Sequence, residues 1–167
     1  MKTMFRNCPE LLGMMLGLSD ALFRAIAAFA FNPGEARIYG ALLLGNVHHH
    51  NEVRAFGLPT MAWFGIAAVV FAMLYAGVRI AEYGARPGNT GFLLCRALLG
   101  AVAGVLTLNM IESLATAKVT NYIGWVLGGR FTAINFGDVL TWLCLALLVP
   151  AFVTALAQYL AGRPRIG

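Results

Sequence analysis

The sequence predicts an all-α membrane protein with four transmembrane helices and a small β-rich extracytoplasmic portion built from two long loops. Three observations lead to this fold class. Hydrophobic residues make up 60% of the 167 residues, charged residues make up only 11%, and the mean hydropathy is +0.76. Four apolar stretches come close to the ~20 residues that a helix needs to cross a bilayer. The two longest connections between these stretches contain turn signals and β-favouring residues.

The predicted helices lie approximately at residues 11–31, 61–80, 91–111 and 138–160. Together they form a single integral membrane domain over residues 1–167. The first helix contains Asp20 and Arg24, which lie one turn apart and are spaced to form an ion pair. These two charges argue against a cleaved signal peptide, which is the competing interpretation of the first 30 residues.

The two long loops are expected to contribute strands. The first runs from residue 32 to about residue 59 and opens with an Asn-Pro-Gly turn signal. The second runs from residue 112 to residue 137, and the β-favouring segments within it flank Gly128-Gly129, which favours a hairpin.

Basic residues are distributed unequally between the two ends of the predicted bundle. Seven fall on the side that holds both termini: Lys2, Arg6, Arg79, Arg86, Arg96, Arg163 and Arg165. Four fall on the other side: Arg37, Arg54, Lys118 and Arg130. The positive-inside rule therefore predicts a multi-pass protein with both termini in the cytoplasm. No basic cluster is interleaved with aromatic residues, so no nucleic-acid partner is expected.

The residue types that bind metals have unfavourable spacing. The three histidines, His48 to His50, are adjacent, and neighbouring residues of a strand point to opposite faces, so they cannot all bind one ion. A weak zinc or copper site of His48, His50 and Glu52 is one alternative; a surface or interfacial strand that responds to pH is preferred. The cysteines also lack metal-ligand spacing and stand at Cys8, Cys95 and Cys144. We therefore expect no metal and no cofactor.

A string of amide and carboxyl side chains interrupts the third and fourth apolar stretches. Asn109 and Glu112 close the third stretch, and Asn121 follows 12 residues after Asn109. Asn135 and Asp138 then open the fourth stretch. Such groups are costly at membrane depth unless they pair or take part in chemistry, so they predict a functional site.

Five short motifs follow one another along nearly the whole chain. The first is Asp20 with Arg24, and the third is Asn109 with Glu112. The second, fourth and fifth are the segments 51–57 (NEVRAFG), 119–123 (VTNYI) and 134–138 (INFGD). Together with four helices and two long loops on one side, these motifs resemble the signal peptidase II family, membrane aspartic peptidases that cleave signal peptides from bacterial prolipoproteins. The resemblance implies a place in the bacterial cytoplasmic (inner) membrane and a groove that holds a signal-peptide helix.

The chain departs from the family pattern at positions that take part in catalysis in the family. The resemblance puts the two catalytic aspartates at Asn121 and Asp138. In an aspartic dyad one carboxylate takes a proton from water while its protonated partner polarises the scissile carbonyl. Asn121 cannot exchange a proton at neutral pH, so an Asp-Asn pair is expected to retain little hydrolytic activity. The other departures are Val53 and Arg54 for Gly-Ala, and Leu108, Glu112 and Ser113 for Gly, Asp and Arg.

Glu112 is the candidate substitute for the missing acid. It lies one turn beyond Asn109, so a Glu112–Asp138 dyad is one alternative. The favoured alternative is a helix-end carboxylate that pairs with Lys118 or Arg130. Asp138 itself is interpreted either as a retained site residue or as a cap at the start of the fourth helix, where the helix dipole favours an acid.

Six further residues are candidates for positioning a bound peptide: Asp20, Arg24, Asn51, Phe56, Asn109 and Asn135. The alternative for the asparagines of the third and fourth helices is structural bracing, since their amides can fix the backbone. The alternative for Asp20 and Arg24 is a buried or interfacial ion pair. Both alternatives stay open at the level of sequence.

Three functions are compatible with these residues. The favoured one is a catalytically impaired relative of signal peptidase II, a pseudoenzyme that binds a transmembrane or signal-peptide helix. The second is an active lipoprotein signal peptidase with an altered acid pair, Asp138 with Glu112. The third is a small subunit of a larger membrane complex. The substituted residues stand at positions that the family uses for catalysis, whereas the retained residues are suited to positioning a bound peptide, so we favour a binding function. The expected partners are membrane lipid and either a prolipoprotein signal peptide or a transmembrane helix of another protein.

Overall fold

The computed structural model describes residues 8–50, 60–83, 85 and 89–161. In this part of the chain the helices are α1 (Pro9–Leu18), α2 (Asp20–Ala30), α3 (Thr60–Tyr83), α4 (Thr90–Thr116) and α5 (Phe136–Ala161). The strands are β1 (Ala36–Tyr39), β2 (Leu42–His50), β3 (Lys118–Leu127) and β4 (Arg130–Ile134).

Four helical segments of the described chain are long and apolar enough to cross a membrane: Pro9–Ala30, Ala62–Tyr83, Thr90–Thr116 and Phe136–Ala161. The four strands form one antiparallel sheet in the order β1-β2-β3-β4. The fold class predicted from the sequence, a helical multi-pass membrane protein with a small β portion, is therefore confirmed. Helices of this composition place their apolar side chains in contact with lipid.

The first membrane-crossing segment is interrupted at Ser19, between α1 and α2. The Ser19 hydroxyl donates a hydrogen bond to the Leu16 carbonyl over 2.6 Å, a bond of the kind that bends helices. Asp20 and Arg24 follow this interruption, and both are buried, with 0% and 7% of their surface exposed. The interruption thus precedes two charged residues that lie inside the protein.

Glycines bring the backbones of α1 and α4 into contact. A Cβ atom added to Gly13 would lie 1.8 Å from the Ala97 carbonyl oxygen, and one added to Gly100 would lie 2.2 Å from the Glu10 carbonyl oxygen. Gly17 and Gly104 extend the same contact by one turn on each helix. Two small-xxx-small pairs therefore face each other, as in closely packed transmembrane helices.

The helices are buried to very different extents. In the membrane-crossing part of α4, 56% of the residues are buried, whereas the corresponding value for α3 is 6%. At its start, α4 is joined to α5, because the Asn89 amide donates to the Ala155 carbonyl over 3.2 Å while its oxygen caps α4. Helix α4 is therefore the centre of the bundle, and α3 is its most peripheral member among the described helices.

The sheet is continuous with the end of the bundle at which α4 ends and α5 begins. Strands β3 and β4 form the predicted hairpin, and Gly128 and Gly129 take φ values of +57° and +77° in its two-residue turn. Such a turn needs two positive φ values, which glycine adopts without strain. In the next pair of strands, Val47 of β2 lies opposite Asn121 of β3.

Candidate functional site

Arg24 is the centre of a buried charge cluster that joins α2 to the end of α4. Its Nε atom donates to the Asp20 carboxylate over 2.7 Å. The two other guanidinium nitrogens donate to Glu112 and Asn109, both on α4. One cation therefore holds two carboxylates and one amide in fixed positions, which is the bonding pattern that a guanidinium group favours.

Glu112 is engaged through both of its carboxylate oxygens. Besides its bond to Arg24, Oε1 accepts from the Thr120 hydroxyl over 2.5 Å, and Oε2 accepts from the Thr120 backbone N–H over 3.1 Å. The structure thus gives Glu112 the partner Arg24, whereas the sequence favoured Lys118 or Arg130. The reason is tertiary, since α2 packs beside the end of α4 and brings a cation from 88 residues away in the chain.

Tyr122 links this cluster to the start of α5. Its hydroxyl donates to Asp20 Oδ1 over 2.5 Å and accepts from the Phe136 backbone N–H over 2.8 Å. Burial, together with the hydrogen bond to Asp20, raises the pKa of Tyr122 well above its ordinary value, so the hydroxyl keeps its proton at physiological pH. The Phe23 ring stacks against Tyr122 with 6.2 Å between the ring centroids.

A second cluster consists of amides and one acid on β3 and α5. The Asn135 side chain donates to Asn121 Oδ1 over 3.0 Å, and the Asn121 amide donates to the Ala133 carbonyl over 2.8 Å. Asn135 and Asp138 cap the start of α5 reciprocally, because each side chain accepts from the backbone N–H of the other, over 2.8 and 3.2 Å. This is the arrangement of a capping box. Asp138 therefore has the capping contact that was one of its two predicted roles.

The two clusters approach each other at Gly137. A Cβ atom added there would lie 2.9 Å from Asn135 Oδ1 and 3.2 Å from Asp20 Oδ2. Because hydrogen alone occupies this position, the Asp20 carboxylate and the Asn135 amide can lie on either side of it. We call the combined set the polar site: Asp20, Arg24, Asn109, Glu112, Asn121, Tyr122, Asn135 and Asp138.

The polar site includes most of the predicted residues. Asn51 and Phe56 lie outside the described residues, as do the side chains of His49 and His50. His48 has its Nδ1 atom 3.3 Å from the Thr120 hydroxyl. Within the described part of the chain, no three His, Cys, Asp or Glu side chains are grouped so as to hold a metal ion.

Two hydroxyl residues were not predicted for this site. Thr120 and Tyr122 flank Asn121 on β3, and neither was predicted from the sequence to belong to the site. The sequence did contain a signal for these two residues, because both neighbours of the candidate residue Asn121 carry hydroxyl groups. Because neighbouring side chains of a strand point to opposite faces, Thr120 and Tyr122 lie on the face opposite Asn121, so their place in the sequence does not by itself put all three in one site.

Comparisons of the sequence with protein-family models and with curated proteins give no match. The fold, in contrast, is similar to that of two solved structures described as bacterial membrane enzymes determined by the in meso method. The 2.3 Å structure gives a TM-score of 0.55 at 16% identity, over 87% of this chain and 87% of the other. The 1.9 Å structure gives 0.56 at 16% identity, over 87% and 92%. The chain is therefore a multi-pass membrane protein with the fold of these bacterial membrane enzymes.

Replacing Tyr122 with phenylalanine should destabilise the protein by about 1–3 kcal/mol, because Asp20 and the Phe136 N–H would each lose a hydrogen-bonding partner. Thermal or denaturant unfolding in mild detergent measures the effect. Tyr39→Phe is the matched control, since Tyr39 is 57% exposed on β1. Equal stability of the two variants would show that the Tyr122 hydroxyl does not hold α5 to the charge cluster.

Proposed function

We propose that this protein is a non-catalytic relative of signal peptidase II that binds a transmembrane or signal-peptide helix in the membrane. The observation that carries the proposal is the bonding of the two candidate partners of Asp138. Glu112 is engaged by Arg24 and Thr120, and Asn121 is an amide that donates to the Ala133 carbonyl. Neither residue is arranged as the second acid of a dyad.

The chemistry of an aspartic peptidase depends on a proton shared between two neighbouring carboxyl groups. Glu112 is engaged through both of its carboxylate oxygens by Arg24 and Thr120, whereas Asp138 caps the start of α5. Asn121 has no proton to exchange at any physiological pH. Positioned proton transfer contributes ~100- to 10,000-fold to such reactions, so its loss leaves hydrolysis slow.

The surface of the bundle suits the binding of a helix. An apolar groove of about 350 Å³ lies between α3 and α5, lined in part by Met73, Leu74, Val149 and Phe152. It lies within the membrane-crossing parts of both helices, where a partner's apolar side chains are stable. The polar site stands at the end of the bundle next to the sheet, where the half-buried Asn109 can position the backbone of a bound peptide, whereas Asn135 is 1% exposed and braces β3 against α5. Asp20 and Arg24 support these residues from α2.

The same proposal includes location and partners. Both termini lie in the cytoplasm, the protein resides in the bacterial inner membrane, and the sheet faces the opposite side. The bound partner is either a prolipoprotein signal peptide or a transmembrane helix of another protein, with which this chain forms a complex. Membrane lipid surrounds the exposed apolar side chains of α3 and α5.

Incubating the purified protein with a diacylated prolipoprotein tests the proposal. We expect no cleavage by the natural protein and measurable cleavage by the Asn121→Asp variant, because the substitution supplies a second carboxyl group beside the Asn135–Asp138 cap. Asn46→Asp is the matched control, since Asn46 is also a buried amide of the sheet, 3% exposed. It should remain inactive.

A second outcome of the same experiment would contradict the proposal. Cleavage by the natural protein that Asp138→Ala abolishes would establish an active peptidase with an altered acid pair and overturn the binding function. Glu112→Gln would then show whether Glu112 is the second acid. A crosslinked or co-purified partner helix, obtained with the inactive natural protein, would instead identify what the groove holds.

A further inference from the structure

A second apolar groove lies on the other flank of α3, where α3 faces α1 and α4. Two adjoining cavities form it, of about 330 and 210 Å³, and both are lined by Phe71 and Ala103. The first cavity also touches Leu11 and Met14 of α1, and the second extends along α4 to Met110. The groove therefore follows α3 from Phe64 to Tyr75, within the membrane-crossing part of the bundle.

The end of this groove away from the sheet is charged. Glu10 and Tyr75 line it there, and the Tyr75 hydroxyl donates to Glu10 over 2.8 Å. Arg96 binds Glu10 through two bonds of 2.6 and 2.9 Å and binds Glu82 through one of 3.1 Å. The short bonds of Arg96 show that its charge is matched by these two carboxylates.

Arg79 is the second cation of this group and is held much more loosely. Its side chain is 49% exposed, and its contacts with Glu10 and Glu82 are both 3.5 Å long. Its bond to the Tyr75 hydroxyl is 3.4 Å. A guanidinium group has five N–H donors in a planar fork that matches a phosphate. Arg79 therefore presents an accessible phosphate-binding group beside the groove, four residues before the end of α3.

We propose that this groove binds a phospholipid of the leaflet on the side away from the sheet, with one acyl chain along Phe71 and Ala103 and the phosphate on Arg79. The apolar lining suits an acyl chain, and the exposed cation at its end complements the headgroup. Two arginines and two glutamates give the charged end no net formal charge, so it does not repel a zwitterionic headgroup such as phosphoethanolamine. This site is separate from the polar site and from the groove between α3 and α5.

Native mass spectrometry of the full chain in detergent, titrated with dioleoylphosphatidylethanolamine, tests the proposal. We expect one retained lipid and a loss of affinity of about tenfold to a hundredfold in Arg79→Gln, the value of one charged hydrogen-bonded contact. Arg79→Lys should recover part of the affinity. Arg130→Gln, at the first residue of β4, is the matched control and should bind as the natural chain does.

Ala103→Phe tests the acyl-chain part of the groove, since it fills the position shared by both cavities. It should abolish retention of the lipid, whereas Leu114→Phe, at a 65% exposed position of α4, should not. If Ala103→Phe does not fold, the Arg79 variants decide the question. Unchanged affinity in Arg79→Gln, or equal retention of dioleoylglycerol, which has no phosphate, would overturn the proposal.

Discussion

Replacing Arg24 with alanine should destabilise the protein by about 3–5 kcal/mol, the effect expected when one partner of a buried ion pair is removed. Asp20 has no exposed surface and would lose the cation that compensates its charge. Glu112 and Asn109 would lose their link to α2 in the same substitution. The cost arises from carboxylates left without compensation in a medium that solvates them poorly.

Unfolding in mild detergent measures the Arg24 effect, and two further variants separate its causes. Asp20→Asn and Glu112→Gln combined with Arg24→Met should recover much of the lost stability, because the three changes remove the cation together with both carboxylates that it compensates. Arg37→Ala is the control, since Arg37 belongs to an exposed pair with Glu35 and should change the stability little. An Arg24→Ala protein as stable as the Arg37→Ala protein would contradict the central role of this cation.

Replacing Gly13 or Gly100 with alanine should also destabilise the protein strongly, by at least about 1–3 kcal/mol each. The added Cβ atoms would lie 1.8 Å from the Ala97 carbonyl oxygen and 2.2 Å from the Glu10 carbonyl oxygen. Both obstacles are backbone atoms, so no side-chain rotation can relieve the overlap. Helices α1 and α4 would have to move apart, which would also displace Glu10 from Arg96.

The matched control for the glycine variants is Gly65→Ala in α3. A Cβ atom at Gly65 would have nothing within 4 Å, so the substitution should raise stability by up to ~1 kcal/mol through helix propensity. The same chemical change is therefore expected to act with opposite signs in α1 and in α3. A drop in stability of similar size at both positions would show that the substitution acts on the helix itself and not on the packing of α1 against α4.

These expectations share a physical cause, which is the division of the bundle into a rigid and a peripheral part. Helices α1, α4 and α5 are joined by glycine contacts and by the Asn89 cap, and the Arg24 cluster fixes α2 to them. Helix α3 is mostly exposed to its surroundings and is flanked by both apolar grooves. The binding function that we propose would benefit from this division, since the rigid part would position the polar groups while the periphery would present apolar surface to a ligand.

Sequence patterns predicted the features that depend on local composition. Hydropathy located the four membrane-crossing segments, and Gly128-Gly129 located the hairpin, because each is determined by a short run of residues. The interruption at Ser19 was not predicted. A single serine in an apolar stretch is compatible with a continuous helix, so local sequence does not determine this break.

The site was predicted as a set of residues but not as a set of bonds. Polar residues at membrane depth are few and costly, so the sequence alone identified Asp20, Arg24, Asn109 and Glu112 as special. The resemblance to signal peptidase II also predicts that Asn121 stands where that family has an acid. The partner of Glu112 was decided only by the tertiary structure. Arg24 lies 88 residues away in the chain, and a local sequence pattern cannot predict a contact between residues so far apart. Tyr122 likewise acquires its role only when β3 packs between Asp20 and the start of α5.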